Sequence, residues 1–214
     1  MLKIDHRLEE YILAHCEPED PVLKELYRET QVKIYHPRMA SGHLQGAMLS
    51  MLVKMIRPLQ VLEIGTYTGY SAISIAKGLT AGAMLHTIEI NDELEDFTRQ
   101  YFTKAGVESQ IRLHIGDALD IIPNFKQTFD LVFIDGNKAQ YIEYYEAVLP
   151  LVPAGGFILA DNILWDGKVL HSDLRDNDHF AHGIIEFNEH VVKDNRVEKV
   201  IFPFRDGIFV LRKK

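Results

Sequence analysis

The order of apolar and polar positions predicts strands that alternate with helices along most of the chain. Short continuous apolar runs rich in β-branched and aromatic residues, typical of strands buried on both faces, recur from Gln60 onward. The predicted strands cover 61–64, 84–89, 111–115, 129–134 and 157–160, and the predicted helices between them cover 70–77, 93–104, 118–122 and 140–149. Such alternation favours a mostly parallel sheet with helices on both faces.

Both ends of the chain depart from this alternation. Residues 2–57 are predicted to be mostly helical, with a loop at 36–46 before an apolar helix at 47–56. After a helix at 184–192, strands are predicted at 197–202 and 207–212, and the short segment between them favours an antiparallel hairpin. We therefore predict one α/β domain over 1–214, with a helical segment at 1–57 and a cofactor-binding core at 58–214.

Composition narrows the possible partners and the compartment. The 214 residues are 47% hydrophobic and 25% charged, and the net charge of −8 argues against nucleic acid as the main partner without excluding a local basic patch. Cys16 is the only cysteine, so no internal disulfide forms and a reducing compartment is expected. Residues 1–10 lack a signal-peptide core, and no apolar run approaches the roughly 20 residues of a transmembrane helix. We expect a cytoplasmic protein with no membrane partner.

Three predicted strands end in residues that suit a nucleoside. Gly65 and Gly69 lie where the first strand turns into a helix, and their spacing is not the G-x-G-x-x-G dinucleotide fingerprint. Taken alone, the two glycines are equally compatible with a tight turn. The second strand ends in Glu89, which can accept both hydroxyls of a ribose, and the third leads to Asp117. Together these residues favour a nucleoside site.

Two further strands end in oxygen-bearing side chains. Asp135 follows the fourth strand, Asp161 and Asn162 follow the fifth, and Lys138 lies close to the first of these acids. The carboxyl ends of strands are where open α/β sheets bind ligands, so these residues favour a metal site beside a base. Each could instead cap the turn or helix that follows its strand, and Lys138 could be a solvated lysine at a helix start.

These motifs resemble a known family over nearly the whole chain, from about residue 38 to 211. The cofactor motifs resemble the S-adenosylmethionine site of class I methyltransferases: Glu63-x-Gly65-x-x-x-Gly69, Glu89 and Gly116-Asp117. The remaining motifs resemble one branch, the metal-dependent O-methyltransferases, which include the caffeoyl-CoA and catechol enzymes. These motifs are Phe133 to Lys138, Asp161-Asn162-x-x-Trp165-x-Gly167 and Asp206-Gly207. The resemblance implies a Rossmann-like doubly wound sheet of order 3-2-1-4-5-7-6 with strand seven antiparallel.

The resemblance also implies roles for individual residues. The cofactor S-adenosylmethionine would be bound by Ser41, Glu63, Gly65, Thr66, Ser71, Glu89, Asp117, Ala118 and Asp135. The implied metal ligands are Asp135, Asp161 and Asn162, which suit Mg²⁺, with Ca²⁺ or Mn²⁺ as alternatives. Lys138 matches the family's proposed general base. Asn137 departs from the pattern, because the family usually has an acid at this position.

The implied activity is methyl transfer to a hydroxyl of a small catechol-like aromatic acceptor by a homodimer. One alternative is a tRNA methyltransferase acting on a hydroxylated uridine, for which only Lys168, Arg175 and Arg205 are candidate basic contacts. Another alternative is a cofactor-binding protein without catalysis. Trp165 is interpreted either as lining the acceptor pocket or as packing under its loop. The histidines of the polar stretch 168–182 are interpreted as exposed loop residues: His171, His179 and His182.

Overall fold

The computed structural model describes residues 6–171 and 173–214. The first half of the segment 1–10, for which no signal-peptide core was predicted, lies outside the described residues. Among the described residues, no helix combines the length and the apolar character that crossing a membrane requires.

Seven strands form one mixed sheet in the order β3-β2-β1-β4-β5-β7-β6. Their bounds are β1 Gln60–Ile64, β2 Met84–Glu89, β3 Ile111–Ile115, β4 Leu131–Ile134, β5 Phe157–Ala160, β6 Val197–Phe202 and β7 Ile208–Lys213. β7 is antiparallel to both β5 and β6, whereas β2 is parallel to β3 and β4 is parallel to β5. The predicted fold class, strand order and antiparallel seventh strand are confirmed.

The α-helices are α1 His6–Ala14, α2 Pro21–Lys33, α3 His43–Ile56, α4 Tyr70–Ala76, α5 Glu95–Lys104, α6 Ala118–Ile121, α7 Tyr141–Val148 and α8 His179–Lys193. Short 3₁₀ helices include Pro37–Met39, Asp92–Leu94, Lys138–Gln140 and Trp165–Leu170. The loop predicted at 36–46 is therefore shorter than expected, because α3 already begins at His43 after Gly42, whose φ is 77°.

The start of α8 corrects the interpretation of two histidines. Asp178 caps the helix, its side chain accepting a hydrogen bond from the backbone N–H of Ala181, so α8 begins at His179 instead of 184. His179 and His182 thus lie in a helix and not in the loop where we expected them. His171 does lie in an exposed segment after the 3₁₀ helix.

The described residues form two compact units. Unit 1 contains residues 62–65 and 118–214, and unit 2 contains residues 6–61 and 66–117. The largest fully buried side chains of unit 1 include Phe129, Phe133, Tyr141, Tyr145 and Phe187, and those of unit 2 include Leu26, Leu49, Ile73, Ile75 and Leu85. The interpretation of residues 1–214 as one domain stays a prediction.

Candidate active site

In unit 2, the carboxylate of Glu89 has a fixed orientation at the end of β2. The side chain is only 8% exposed. Its Oε2 accepts a hydrogen bond of 2.6 Å from the N–H of Tyr67, and its Oε1 accepts one of 2.9 Å from the N–H of Asn91. Because each carboxylate oxygen can accept more than one hydrogen bond, both can still accept hydroxyls of a ligand. This geometry suits the recognition of a ribose.

The turn after Gly65 is tied to β2 and to the segment before α3. The hydroxyls of Thr66 and Thr87 lie 2.5 Å apart, and the N–H of Thr66 donates to the carbonyl of Ile88. Tyr67 has a φ of 50°, and its hydroxyl donates to the carbonyl of Tyr35 at 3.0 Å. Burial, followed by the charge of Glu89, raises the pKa of Tyr67, so its hydroxyl remains a donor at neutral pH.

The other predicted cofactor residues of unit 2 are also placed at element ends. Ser71 is 4% exposed in the first turn of α4, and Ser41 is 9% exposed between the 3₁₀ helix Pro37–Met39 and α3. Asp117 directly follows Gly116, whose N–H donates to the carbonyl of Glu89 at 2.8 Å. β3 therefore ends beside the end of β2, and Asp117 follows at that edge.

In unit 1, Gly65 allows the end of β1 to lie against the backbone after β4. Its φ is 98°, and a Cβ built on it would overlap the carbonyl oxygen of Asp135. The N–H of Asp135 donates to the carbonyl of Ile64 at 2.9 Å. A side chain at Gly65 would thus displace Asp135. Glu63 is fully buried in β1, and Ala118 is buried at the start of α6.

Lys138 is held in a buried position by two oxygen atoms. The residue is 9% exposed, and its Nζ lies 2.5 Å from Asp135 Oδ1 and 2.7 Å from the hydroxyl of Tyr141. That hydroxyl also lies 3.2 Å from the carbonyl of Asp161 and 3.3 Å from that of Ile134. Burial, together with the charges of Asp135 and Asp161, raises the pKa of Tyr141 well above its usual value.

The register of β4 and β5 brings the two predicted metal-binding acids to neighbouring strand ends. Ile134 of β4 pairs with Ala160 of β5. Asp135 and Asp161 directly follow these two residues. Asp161 is 3% exposed, and its Oδ1 accepts a hydrogen bond from the N–H of Asn162. Asn162 has a φ of 59°, a conformation that asparagine tolerates better than most residues.

The donor atoms of Asp135, Asp161 and Asn162 fit a hard divalent cation. Two carboxylates and one amide supply oxygen atoms only, which are the ligands that Mg²⁺ and Ca²⁺ prefer. Asp161 is almost fully buried, and a buried carboxylate requires a compensating charge or hydrogen bonds. The described residues at these strand ends are therefore chemically suited to the implied metal.

Sequence reasoning missed three residues around this site. Tyr141 binds Lys138, and its position three residues later on the following helix was the only available signal. Gly183 of α8 lies so close to the 138–140 turn that a Cβ would be 2.5 Å from the carbonyl oxygen of Lys138. Asn188 donates from its amide to the carbonyl of Ile163 at 2.8 Å. The last two contacts join segments far apart in sequence and carry no local signal.

The sheet order, with its antiparallel seventh strand, and the buried acid that ends β2 define a class I methyltransferase. Residues 13–214 match the O-methyltransferase family model. The chain is similar to caffeoyl-CoA O-methyltransferase 1 of Zea mays, with 34% identity over 100% of this chain and 86% of the relative.

Two solved structures are also similar to the chain. One is an SAH-bound methyltransferase from Podospora anserina, with a TM-score of 0.91, 26% identity and coverage of 100% of this chain and 98% of the other. The second is the O-methyltransferase TomG from Streptomyces achromogenes in complex with SAM. Its TM-score is 0.89 and its identity 27%, with coverage of 97% of this chain and 96% of the other. The chain belongs to the O-methyltransferase family of the caffeoyl-CoA type, and it is an S-adenosylmethionine-dependent O-methyltransferase.

Proposed function

We propose that this enzyme methylates one hydroxyl of a small catechol-like acceptor, that Lys138 is the general base, and that Asp135, Asp161 and Asn162 bind a divalent cation. The observation that carries the proposal is the buried Lys138 amine beside Asp135, at the ends of two adjacent strands that supply the oxygen ligands. A bound cation would hold two vicinal oxygens and favour the ionised hydroxyl. The acceptor class is also supported by the similarity to the Zea mays caffeoyl-CoA enzyme.

The residues of the chain account for the remaining steps. In its neutral form the Lys138 amine accepts the proton of the acceptor hydroxyl, which turns a poor nucleophile into a reactive one. The oxygen then attacks the sulfonium methyl group, which requires an approach of roughly 3–3.5 Å along the line of the breaking bond. The carbon–sulfur bond breaks, and S-adenosylhomocysteine and the methyl ether are the products.

The proposed cofactor contacts follow from the same placement. Glu89 would accept the ribose hydroxyls, because two backbone amides already orient its carboxylate. Asp117 would contact the adenine edge. The other residues proposed to bind S-adenosylmethionine are Ser41, Glu63, Gly65, Thr66, Ser71, Ala118 and Asp135.

The segment after Asn162 is proposed to contact the aromatic acceptor. Trp165 packs edge-to-face against Phe180 at 6.1 Å between ring centroids, and both rings are at least partly exposed. The N–H of Asp166 donates to Asp206 at 2.7 Å, which ties this segment to the turn between β6 and β7. An aromatic surface of this kind suits a planar acceptor.

One of the three basic residues that would favour the tRNA alternative is already paired within the chain. Lys168 is paired with Asp178 at 2.6 Å, so its charge is already balanced within the chain. We therefore retain the small-molecule acceptor. A homodimer in the cytoplasm remains part of the proposal, and light scattering of the purified protein would test the dimer.

Two measurements with radiolabelled S-adenosylmethionine and a panel of catechols test the function. Treatment with EDTA should abolish methyl transfer and added Mg²⁺ should restore it, whereas activity indifferent to EDTA would contradict the metal proposal. Total tRNA serves as the rival acceptor in the same assay. Methylation of tRNA and of none of the catechols would overturn the proposed acceptor.

Replacing Lys138 with methionine tests the general base. Turnover should fall by about 10²–10⁴-fold, because a positioned base typically contributes that much. Cofactor affinity should stay within about twofold of wild type, since the variant removes only the amine. The exposed Lys126→Met on the same unit is the control and should retain its turnover. Turnover of Lys138→Met close to wild type would remove Lys138 from the mechanism.

A further inference from the structure

We infer that Tyr141 is a positioning residue that holds the Lys138 amine in place for proton transfer, through its hydroxyl and not through its ring. The inference rests on the proposed role of Lys138 as the general base. The Tyr141 hydroxyl lies 2.7 Å from Lys138 Nζ, and the whole tyrosine is buried.

The hydrogen bonds around Tyr141 have a defined direction. An ammonium group only donates, so the Tyr141 oxygen accepts from Lys138. The tyrosine proton is therefore directed to a carbonyl, either that of Asp161 at 3.2 Å or that of Ile134 at 3.3 Å. The hydroxyl thus connects the amine to the backbone at the ends of β4 and β5.

Asp135 and Tyr141 together fix the amine from two directions. Lys138 Nζ lies 2.5 Å from Asp135 Oδ1. The neutral amine that acts as the base has two N–H donors, one for Asp135 and one for Tyr141, so its lone pair is left for the proton of the acceptor hydroxyl. A lysine side chain has a flexible four-carbon stem and loses its geometry easily when a contact is removed. Without the Tyr141 hydroxyl, Asp135 would be the one remaining hydrogen-bond partner of the amine among residues 6–171 and 173–214, and it is also a proposed metal ligand.

The ring of Tyr141 makes two contacts that phenylalanine would preserve. It packs edge-to-face against Phe187 at 5.4 Å between ring centroids, and Lys138 Nζ lies 5.0 Å from its centroid, so Tyr141→Phe removes the hydroxyl alone. Tyr145, on the same helix, also packs against Phe187, but its hydroxyl donates to Asp194 at 2.8 Å and does not contact Lys138. Tyr145→Phe is therefore a matched control, in which the same oxygen atom is removed from a buried ring of the same helix.

The experiment compares Tyr141→Phe, Tyr145→Phe and Lys138→Met with the wild-type enzyme on the best catechol of the panel. Active sites are counted by titration with S-adenosylhomocysteine, so that kcat refers to folded, cofactor-competent enzyme. We expect kcat of Tyr141→Phe to fall about 10- to 100-fold, as a misplacement of about 1 Å can produce, with KM values for both substrates within about threefold. Tyr145→Phe should retain kcat within about twofold.

Each other result has a definite meaning. If Tyr141→Phe keeps kcat within about fivefold while Lys138→Met is inactive, the inference is overturned and the proposed base stands. If the total activity of Tyr141→Phe falls only in proportion to its number of titratable sites, so that kcat per site is unchanged, the hydroxyl is merely structural and the inference is again wrong. If Lys138→Met itself retains wild-type kcat, Lys138 is not the general base, and the role inferred for Tyr141 fails with that assignment.

Discussion

At the scale of single residues, the side chain of Asn137 caps the turn that carries Lys138. Its Oδ1 accepts a hydrogen bond of 3.1 Å from the N–H of Ala139, and the side chain is exposed. Asparagine and aspartate are about equally good at such cap positions. The amide that replaces the family's usual acid therefore preserves the local structure, and its effect on the site is the removal of one negative charge.

Substitutions of Asn137 should separate its cap from its charge. Asn137→Asp should leave the free energy of unfolding within about 0.5 kcal/mol of wild type, because the cap persists. Asn137→Ala should lower it by about 1 kcal/mol and also reduce turnover, since the turn carries Lys138. Urea unfolding and steady-state kinetics measure both effects. An alanine variant as stable as wild type would show that the cap has no energetic value.

At the scale of elements, α8 fixes the turn that carries the proposed base. Gly183 faces this turn, and a Cβ on it would lie 2.5 Å from the carbonyl oxygen of Lys138 and 2.7 Å from the Cα of Ala139. Both contacts are with backbone atoms, which cannot rotate away as a flexible side chain would. The close approach of helix and turn is thus possible only because position 183 has no side chain.

Gly183→Ala should therefore damage the enzyme even though alanine is the better helix former. The gain in helix propensity is at most about 1 kcal/mol, whereas overpacking against backbone typically costs about 1–3 kcal/mol. We expect a lower melting temperature and at least a tenfold loss of turnover, because Lys138 must move. Glu186→Ala, at an exposed position of the same helix, is the control and should be close to neutral. A stabilised, fully active Gly183→Ala would refute the packing argument.

The strands were predictable because their apolar runs are local signals, and the acids that follow them, such as Glu89 and Asp135, were found for the same reason. The first turn of α8 was missed because its polar residues mask the helical spacing that begins at Ala181. The contacts of Tyr141 and Gly183 with Lys138 were not predictable in detail. The Tyr141 contact has only the weak signal of a three-residue spacing, and the Gly183 contact depends on how distant segments pack, which a local pattern does not contain.

At the scale of the whole molecule, a pair of half-buried histidines links stability to pH. His86 and His114 lie on the adjacent strands β2 and β3, with ring nitrogens 3.0 Å apart and the rings stacked. Burial, then the neighbouring His114 and Arg112, lowers the pKa of His86 to about 4, and burial lowers the pKa of His114. The folded state therefore disfavours protons that the unfolded chain would bind near its ordinary histidine pKa of about 6.5.

The stability of the enzyme should consequently fall on acidification through this window. Between the unfolded pKa of about 6.5 and the folded value of about 4, the unfolded state binds more protons, so the free energy of unfolding decreases as pH is lowered. His86→Gln removes one of these sites. Between neutral pH and about pH 5, the free energy of unfolding of the variant should therefore decrease by roughly 1 kcal/mol less than that of wild type. This value is discounted because the histidine is partly exposed. Urea unfolding at both pH values measures the difference, with the exposed His179→Gln as the control, which should follow wild type. If the free energy of unfolding decreased equally in wild type and in His86→Gln, the histidine pair would not contribute to the pH dependence.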